Sequence, residues 1–379
     1  MILRSSFALL GLVAVVALAV LRVAPVSHHA AVSASPGAQA GAIAAFKSLV
    51  KQQSDLSADP HHVRLSTETQ GAKVDLGAIQ QGCAVQDCIP AITKPQFDSA
   101  AAASRWLNDG DVVFGSSYGG VQRAYPQRIL NWHEIVNDVV AGSPILVTFC
   151  PLCGSALAFH RTMDGHTVTF AVSGLLYNSD LIMYDRRTGS LWQQFTGRAI
   201  VGPAAQRNER LTEIGITTTT WGAWKRSYPR TQVLSQNTGY DRNYDQYPYG
   251  SYEQDNEIYF GIQHTDRRLP LKAVVYGIQI GGKSKAYTAD LLEKRRALVD
   301  VIGGHRIALR EERSGTIRVV DVTTGHAVLS LRTFWFAWAT FHPDTELAGR
   351  TTFRPGPTLG ICPGPSCRAS RDRLLQGSL

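Results

Sequence analysis

Two cysteines three residues apart, in Cys150-Pro151-Leu152-Cys153-Gly154, are the residues of this sequence best placed to do chemistry. Proline and glycine make a tight loop able to turn both sulfurs the same way. Such a knuckle supplies two thiolates to a zinc or copper ion, provided further ligands join it. The same spacing also serves a redox dithiol, in which one thiol is activated and the pair cycles, or a closed structural disulfide. A thioredoxin-like site expects a helix after the second cysteine. Here Ser155-Ala156-Leu157-Ala158-Phe159-His160 follows, and then a hairpin. His133 is the first choice for a third ligand or a general base, because imidazole titrates near neutral pH. Asp180, His160 and His166 are the other candidates. Trp132, Glu134 and the run Tyr177-Asn178-Ser179-Asp180 read as a polar pocket lining between apolar neighbours. The plainer readings are a polar cap on a packed face for His133 and an Asx turn for the Tyr177–Asp180 run. There is no P-loop, GxGxxG, GxSxG or HExxH.

The elements that must position these groups are mostly strands. Asp111 to Phe114 reads as a short strand, and Gly119-Gly120 as a tight turn needing positive φ. Pro126 opens a helix with the apolar stripe Ile129, Leu130 and Ile135. Pro144 to Phe149 reads as a buried strand that delivers Cys150, and Asp164-Gly165 as a hairpin turn between Ala156–Phe159 and Thr167–Val172. Ala100 to Leu107 reads as a helix stopped by Asn108-Asp109-Gly110.

Much of this pattern recurs at one constant offset. Val113-Phe114-Gly115, Gly119-Gly120, Ala124-Tyr125, Leu130, Asp138, Gly142 and Ile145 match Val275-Tyr276-Gly277, Gly281-Gly282, Ala286-Tyr287, Leu292, Asp300, Gly304 and Ile307. Trp221 and Trp224 match Trp335 and Trp338, and Asp185–Gly189 matches Asp321–Gly325. The expected fold is therefore α+β, strand-rich and internally duplicated, with a shorter and degenerate second copy packed on the first through the paired tryptophan segments. Residues that both copies keep are architectural on this reading, and those found only in the first are candidates for chemistry. At the offset, Glu293-Lys294-Arg295-Arg296 replaces Asn131-Trp132-His133-Glu134, while Glu312 and Gly315 stand opposite Cys150 and Cys153. The Leu175–Asp180 run has no counterpart.

The ends and the composition bound the rest. Arg4 precedes an apolar run from Phe7 to Val23, and small residues follow to Ala34, the order of a secretory signal or an uncleaved N-terminal membrane anchor. Either way the remainder is exported, to the periplasm, the exterior or an outward-facing membrane surface. The six cysteines fall into close pairs, and outside the cytoplasm Cys83 with Cys88 and Cys362 with Cys367 read as structural disulfides. An apolar fraction of 44% fills real cores, and the net charge of +8 is scattered without the basic, aromatic-rich block of a nucleic-acid groove. The expected partner is a small molecule or an envelope protein. The expected divisions are 1–34 for the signal or anchor, 35–105 for a linker and N-terminal segment, 106–240 for the first repeat with the site, 265–350 for the second repeat, and 351–379 for a tail.

Several segments together resemble an uncharacterised prokaryotic family, domain of unknown function 3179. They are Val112–Gly115, Ala124-Tyr125-Pro126, Leu130–Asp138, Thr148–Gly154, Ser173–Asp180 and Thr188–Trp192, covering about Asp87 to Gly282. The resemblance implies no particular reaction. Cys83 and Cys88 depart from its pattern, which implies an added disulfide set apart from the core site. Three functions stay open: an exported metal-binding protein using Cys150, Cys153 and His133, an envelope thiol oxidoreductase using the two cysteines alone, and a non-catalytic binding module with structural disulfides.

Overall fold

Short antiparallel strands joined by glycine turns build five small sheets set in a propeller-like ring, and a computed structural model describes residues 67–83 and 85–349 of it. The strand-rich expectation holds. Among the described residues the helices are brief, none longer than seven residues, so the strands carry the architecture. Among the described residues no helix is long and apolar enough to cross a membrane. The N-terminal signal or anchor, most of the linker and the Cys362/Cys367 pair lie outside the described residues.

The sheet that delivers the cysteines runs in the order Glu213–Ile214, Ser155–His160, Ser143–Cys150, Ile135–Val140. Ser143–Cys150 is buried over most of its length because its apolar run packs on both faces. The sheet beside it pairs Phe170–Tyr177 with Asp180–Asp185, Tyr177 opposite Asp180. Only Asn178 and Ser179 lie between them, at φ 54° and 61°, the two positive values that a two-residue turn of the hairpin type demands. The run makes a tight hairpin turn rather than the Asx turn of the plainer reading, since Asn178 Oδ1 accepts from the distant Gln263 N–H. A register shift between Val172 and Leu175 bulges the first strand.

The two segments compared in the sequence build like sheets. Thr217–Thr220, Val112–Tyr118, Val121–Pro126 and Gln232–Leu234 lie in that order, the last pair parallel, with Phe97–Ser99 added at the edge. Ser330–Phe334, Val274–Ile280, Lys283–Thr288 and Glu346–Leu347 repeat the order, again with a parallel last pair. Phe114 faces Tyr125 as Tyr276 faces Tyr287. Tyr125 donates to Asp138 and Tyr287 to Asp300, at 2.7 and 2.9 Å.

The tryptophan helices, Trp221–Ser227 and Trp335–Phe341, do not join the two segments as a pair: only the second reaches across, its Phe341 stacking on Phe195 at 4.6 Å. Each lies on its own sheet: a Cβ on Gly115 would come within 2.4 Å of the Trp224 ring, and one on Gly277 within 2.1 Å of Trp338. Only glycine lets an indole lie flat on the strand there. Trp221 and Trp224 pack with Val113, Ala124 and Val233, whereas Trp335 and Trp338 enter the largest core cluster, which also holds Cys150 and Cys153.

Candidate functional site

Cys150 ends its strand opposite Ser155, and the loop between them returns through Gly154 at φ 61°. The loop's carbonyl groups are held from far along the chain. Thr333 Oγ1 and the Phe334 backbone N–H both donate to Cys153 O, at 2.8 and 2.9 Å. Tyr252 donates its hydroxyl to Leu152 O at 2.9 Å. Both sulfurs are thereby fixed in the core, Cys150 and Cys153 being buried and unbonded to each other.

The two-residue turn brings Asp180 to them. The ligand atoms of Cys150, Cys153 and Asp180 lie within 4.8 Å of one another, and the Cys153 thiol points to Ser179 O at 3.4 Å. Asp180 Oδ2 accepts from Gln193 Nε2 and from the Phe195 N–H. Its Oδ1 is buried with no hydrogen-bond partner, and so is Ser179 Oγ. This buried Cys150-Cys153-Asp180 group could hold a metal ion. Burial pushes Asp180 up to about 7 and raises both thiols, Cys153 well above its ordinary value. Glu134 follows the helix Gln127–His133 at φ 55° and is pushed by burial up to about 8. Three non-glycine residues held at positive φ, Glu134, Asn178 and Ser179, gather around this group.

Glu134 and Cys150 face a cavity of about 60 Å³, several times the ~10–15 Å³ that one water needs. Leu175, Leu176 and Leu181 give it apolar walls, and the buried Asn131 Oδ1, which has no hydrogen-bond partner, belongs to another wall residue. Cys83 forms part of the same wall. It stands at disulfide distance from Cys88, Cα to Cα 6.4 Å, as expected for a staple. The staple is not set apart from the site, however. The bulge at Gly174 accepts the Gly82 and Cys83 N–H groups, at 2.8 and 3.0 Å, and so seats the disulfide loop against the cavity.

His133 is not the third member of the group. Its Nδ1 lies 2.7 Å from Pro90 O, which can only accept, so Nδ1 carries the proton. Nε2, 2.7 Å from the Tyr244 hydroxyl, therefore accepts. Both nitrogens are committed, and burial depresses the imidazole to about 4, keeping it neutral. His160 turns to the Tyr118 hydroxyl, and His166 sits on an exposed two-residue strand.

What the sequence reading missed is the segment 241–264, which falls between its two repeats. This strap crosses the site and binds most of the residues found only in the first copy. Trp132 Nε1 donates to Gln246 O at 3.1 Å, Tyr249 donates to Glu134 Oε1 at 3.0 Å, and Tyr177 donates to Gln263 Oε1 at 2.6 Å. Asn178 Oδ1 accepts from the Gln263 N–H at 2.8 Å. Six of the 13 tyrosines fall between Tyr240 and Tyr259, a density that signals a buried, hydrogen-bonded segment rather than a linker.

The profile of a family described as protein of unknown function (DUF3179) matches residues 86–331, well over half of the sequence. The chain belongs to the DUF3179 family. In this DUF3179 protein the match runs past Gly282 and takes in most of the second segment, including Val274–Ile280, the strand paired with Thr333; Thr333 and Phe334, which brace the cysteine loop, fall just past its end. No curated protein and no solved structure matches it.

Proposed function

We propose that this DUF3179 domain is an exported metal-binding module in which Cys150, Cys153 and Asp180 ligate one zinc or copper ion. The observation that carries the reading is Asp180 Oδ1, a buried carboxylate oxygen without a hydrogen-bond partner beside two buried thiols. Neither Asp180 nor Glu134 has an ion-pair partner among the described residues. Burying several groups that ionise to anions, with no cation, is costly, and a divalent ion removes the cost. Two thiolates with one carboxylate suit zinc better than copper(I), which prefers soft donors throughout. At zinc–sulfur bonds of ~2.3 Å, tetrahedral ligand sulfurs stand about 3.8 Å apart, so the 4.8 Å group needs only a small contraction. Three protein ligands leave the fourth position to water or a small molecule, the arrangement of an open zinc site.

Export is supported by the charged, apolar, small-residue order of the N-terminus and by the Cys83/Cys88 pair. The repeated sheet order supports a duplication in which the second copy, lacking the cysteines, braces the first through Thr333 and Phe334.

Elemental analysis of the purified full chain, with thiol titration before and after reduction, tests the reading. One zinc or copper per chain and two protected thiols are expected, and Asp180→Asn, which keeps an acceptor for Gln193 and Phe195, should lose the metal while staying folded. A chain that takes up neither metal at micromolar free concentration refutes the proposal. Reversibly oxidised, metal-free thiols would then indicate an envelope oxidoreductase, and a permanently bonded pair a binding module.

A further inference from the structure

The second segment carries a crevice of its own, of about 640 Å³, a size common among small-molecule sites (about 300–1,000 Å³). One side is Thr218, Thr219 and the helix bearing Arg226, and the other carries Arg296, Arg313 and Arg332. It occupies the place that the thiol cavity holds in the first segment. Arg296 follows the helix Ala289–Arg295 at φ 52° as Glu134 follows its helix at φ 55°. Glu312 and Gly315, which stand opposite Cys150 and Cys153 in the sequence, also line it. The position that presents a carboxyl group in one segment presents a guanidinium in the other.

We propose that this crevice binds a small ligand bearing a di- or triphosphate group. None of Arg226, Arg296, Arg313 and Arg332 has a carboxylate within ion-pair distance among the described residues. Four arginines drawn together without an ion-paired carboxylate of their own repel one another, so a multiply charged anion is the complementary occupant. Two glutamates share the crevice, but Glu312 is already engaged by Arg310 and Arg318, at 3.7 and 3.5 Å, which leaves Glu311 as the one carboxylate set against four guanidinium groups. Each guanidinium offers paired donors matched to phosphate oxygens. Arg332 is half-buried beside Tyr276, which gives the crevice one fixed donor, and Arg226, Arg296 and Arg313 are exposed and free to close on a ligand. The hydroxyl of Thr219 is spent on Ser314 O and Thr220 Oγ1 caps its helix by accepting from the Ala223 N–H, so Thr218 is the lining threonine with no such engagement.

The proposal does not depend on the metal reading. Calorimetry of the full chain with inorganic tripolyphosphate at low salt tests it, run in parallel on Cys150→Ser/Cys153→Ser protein because tripolyphosphate also chelates metal ions. Saturable one-to-one binding is expected in both proteins. Arg296→Ala/Arg313→Ala, both exposed and so compatible with folding, should weaken it at least tenfold, and Arg187→Ala/Arg198→Ala should leave it unchanged. Absence of saturable binding, loss of binding in the cysteine variant, or equal weakening by the control pair would overturn the proposal. Citrate bound as tightly as tripolyphosphate would overturn the phosphate assignment.

Discussion

Acid should withdraw the stability that His133 contributes, while the raised values of Glu134 and Asp180 act in the opposite sense, and the size of the His133 effect follows from its surroundings. The imidazole is fully buried and neutral, donating to Pro90 O and accepting from Tyr244. Its folded value is about 4 against an ordinary 6.5. Between these values the unfolded chain binds a proton that the folded chain does not. Stability is therefore fully present above pH 6.5 and is lost as the pH falls towards 4. At ~1.4 kcal/mol per pKa unit the loss reaches about 3 kcal/mol at the foot of that window. Protonation also removes the acceptor for Tyr244, which Thr238 holds from its other side at 2.6 Å, so the strap should loosen first. His133→Gln cannot gain that charge. At pH 7.5 it should be less stable than wild type by about 1–3 kcal/mol, from the buried hydrogen bonds it disturbs. Urea unfolding followed by tryptophan fluorescence at pH 7.5, 5.5 and 4.5 should show the gap closing as the pH falls. A gap that stays constant across that range would refute the argument, because His133 would then not be the group that titrates.

Other perturbations have equally definite outcomes. Gly115→Ala drives a methyl group into the Trp224 ring, and thermal unfolding should show a loss of about 1–3 kcal/mol or more, as for an overpacked core. Tyr249→Phe leaves Glu134 Oε1 without its donor and should cost about 1–3 kcal/mol in urea. Replacing Cys83 and Cys88 by serine should cost about 2 kcal/mol, the value for closing so short a loop, and should also alter ligand access at the cavity wall, read by the rate of metal release to a chelator. Amino-terminal sequencing of protein recovered outside the cytoplasm should begin near Ser35 if the leader is cleaved, and at Met1 if it is retained as an anchor.

The strand that delivers Cys150 and the recurrence that links the two segments were legible because each rests on local signals, while a turn at Asn178–Ser179 was one of two open readings. Apolar runs, turn residues and a constant offset lie in the sequence itself. The third member of the thiol group was not legible. His133 has the right chemistry and the right neighbours, but ligation depends on where its two nitrogens point, and Pro90 and Tyr244, both distant in sequence, decide that. Asp180 was named only as an alternative, since nothing local shows that one of its oxygens lacks a partner. The internal comparison misled in one respect. Trp132, Glu134, Tyr177 and Asn178 are peculiar to the first segment partly because they grip the strap, an element with no counterpart in the second. Absence from a copy marks a difference in architecture as readily as a difference in chemistry.

The bracing of Cys153 by Thr333 has a consequence for the order of events during synthesis. The thiols emerge from the ribosome long before Tyr252 and Thr333, the residues that pin their loop. While early segments fold as they appear, Cys150 and Cys153 stand open to solvent, to oxidants and to any free ion. Only the late arrival of the strap and of the strand Ser330–Phe334 encloses them. On the proposed metal reading, an ion bound before that moment would be sealed in by the rest of the chain, and one arriving afterwards would wait for the strap to open.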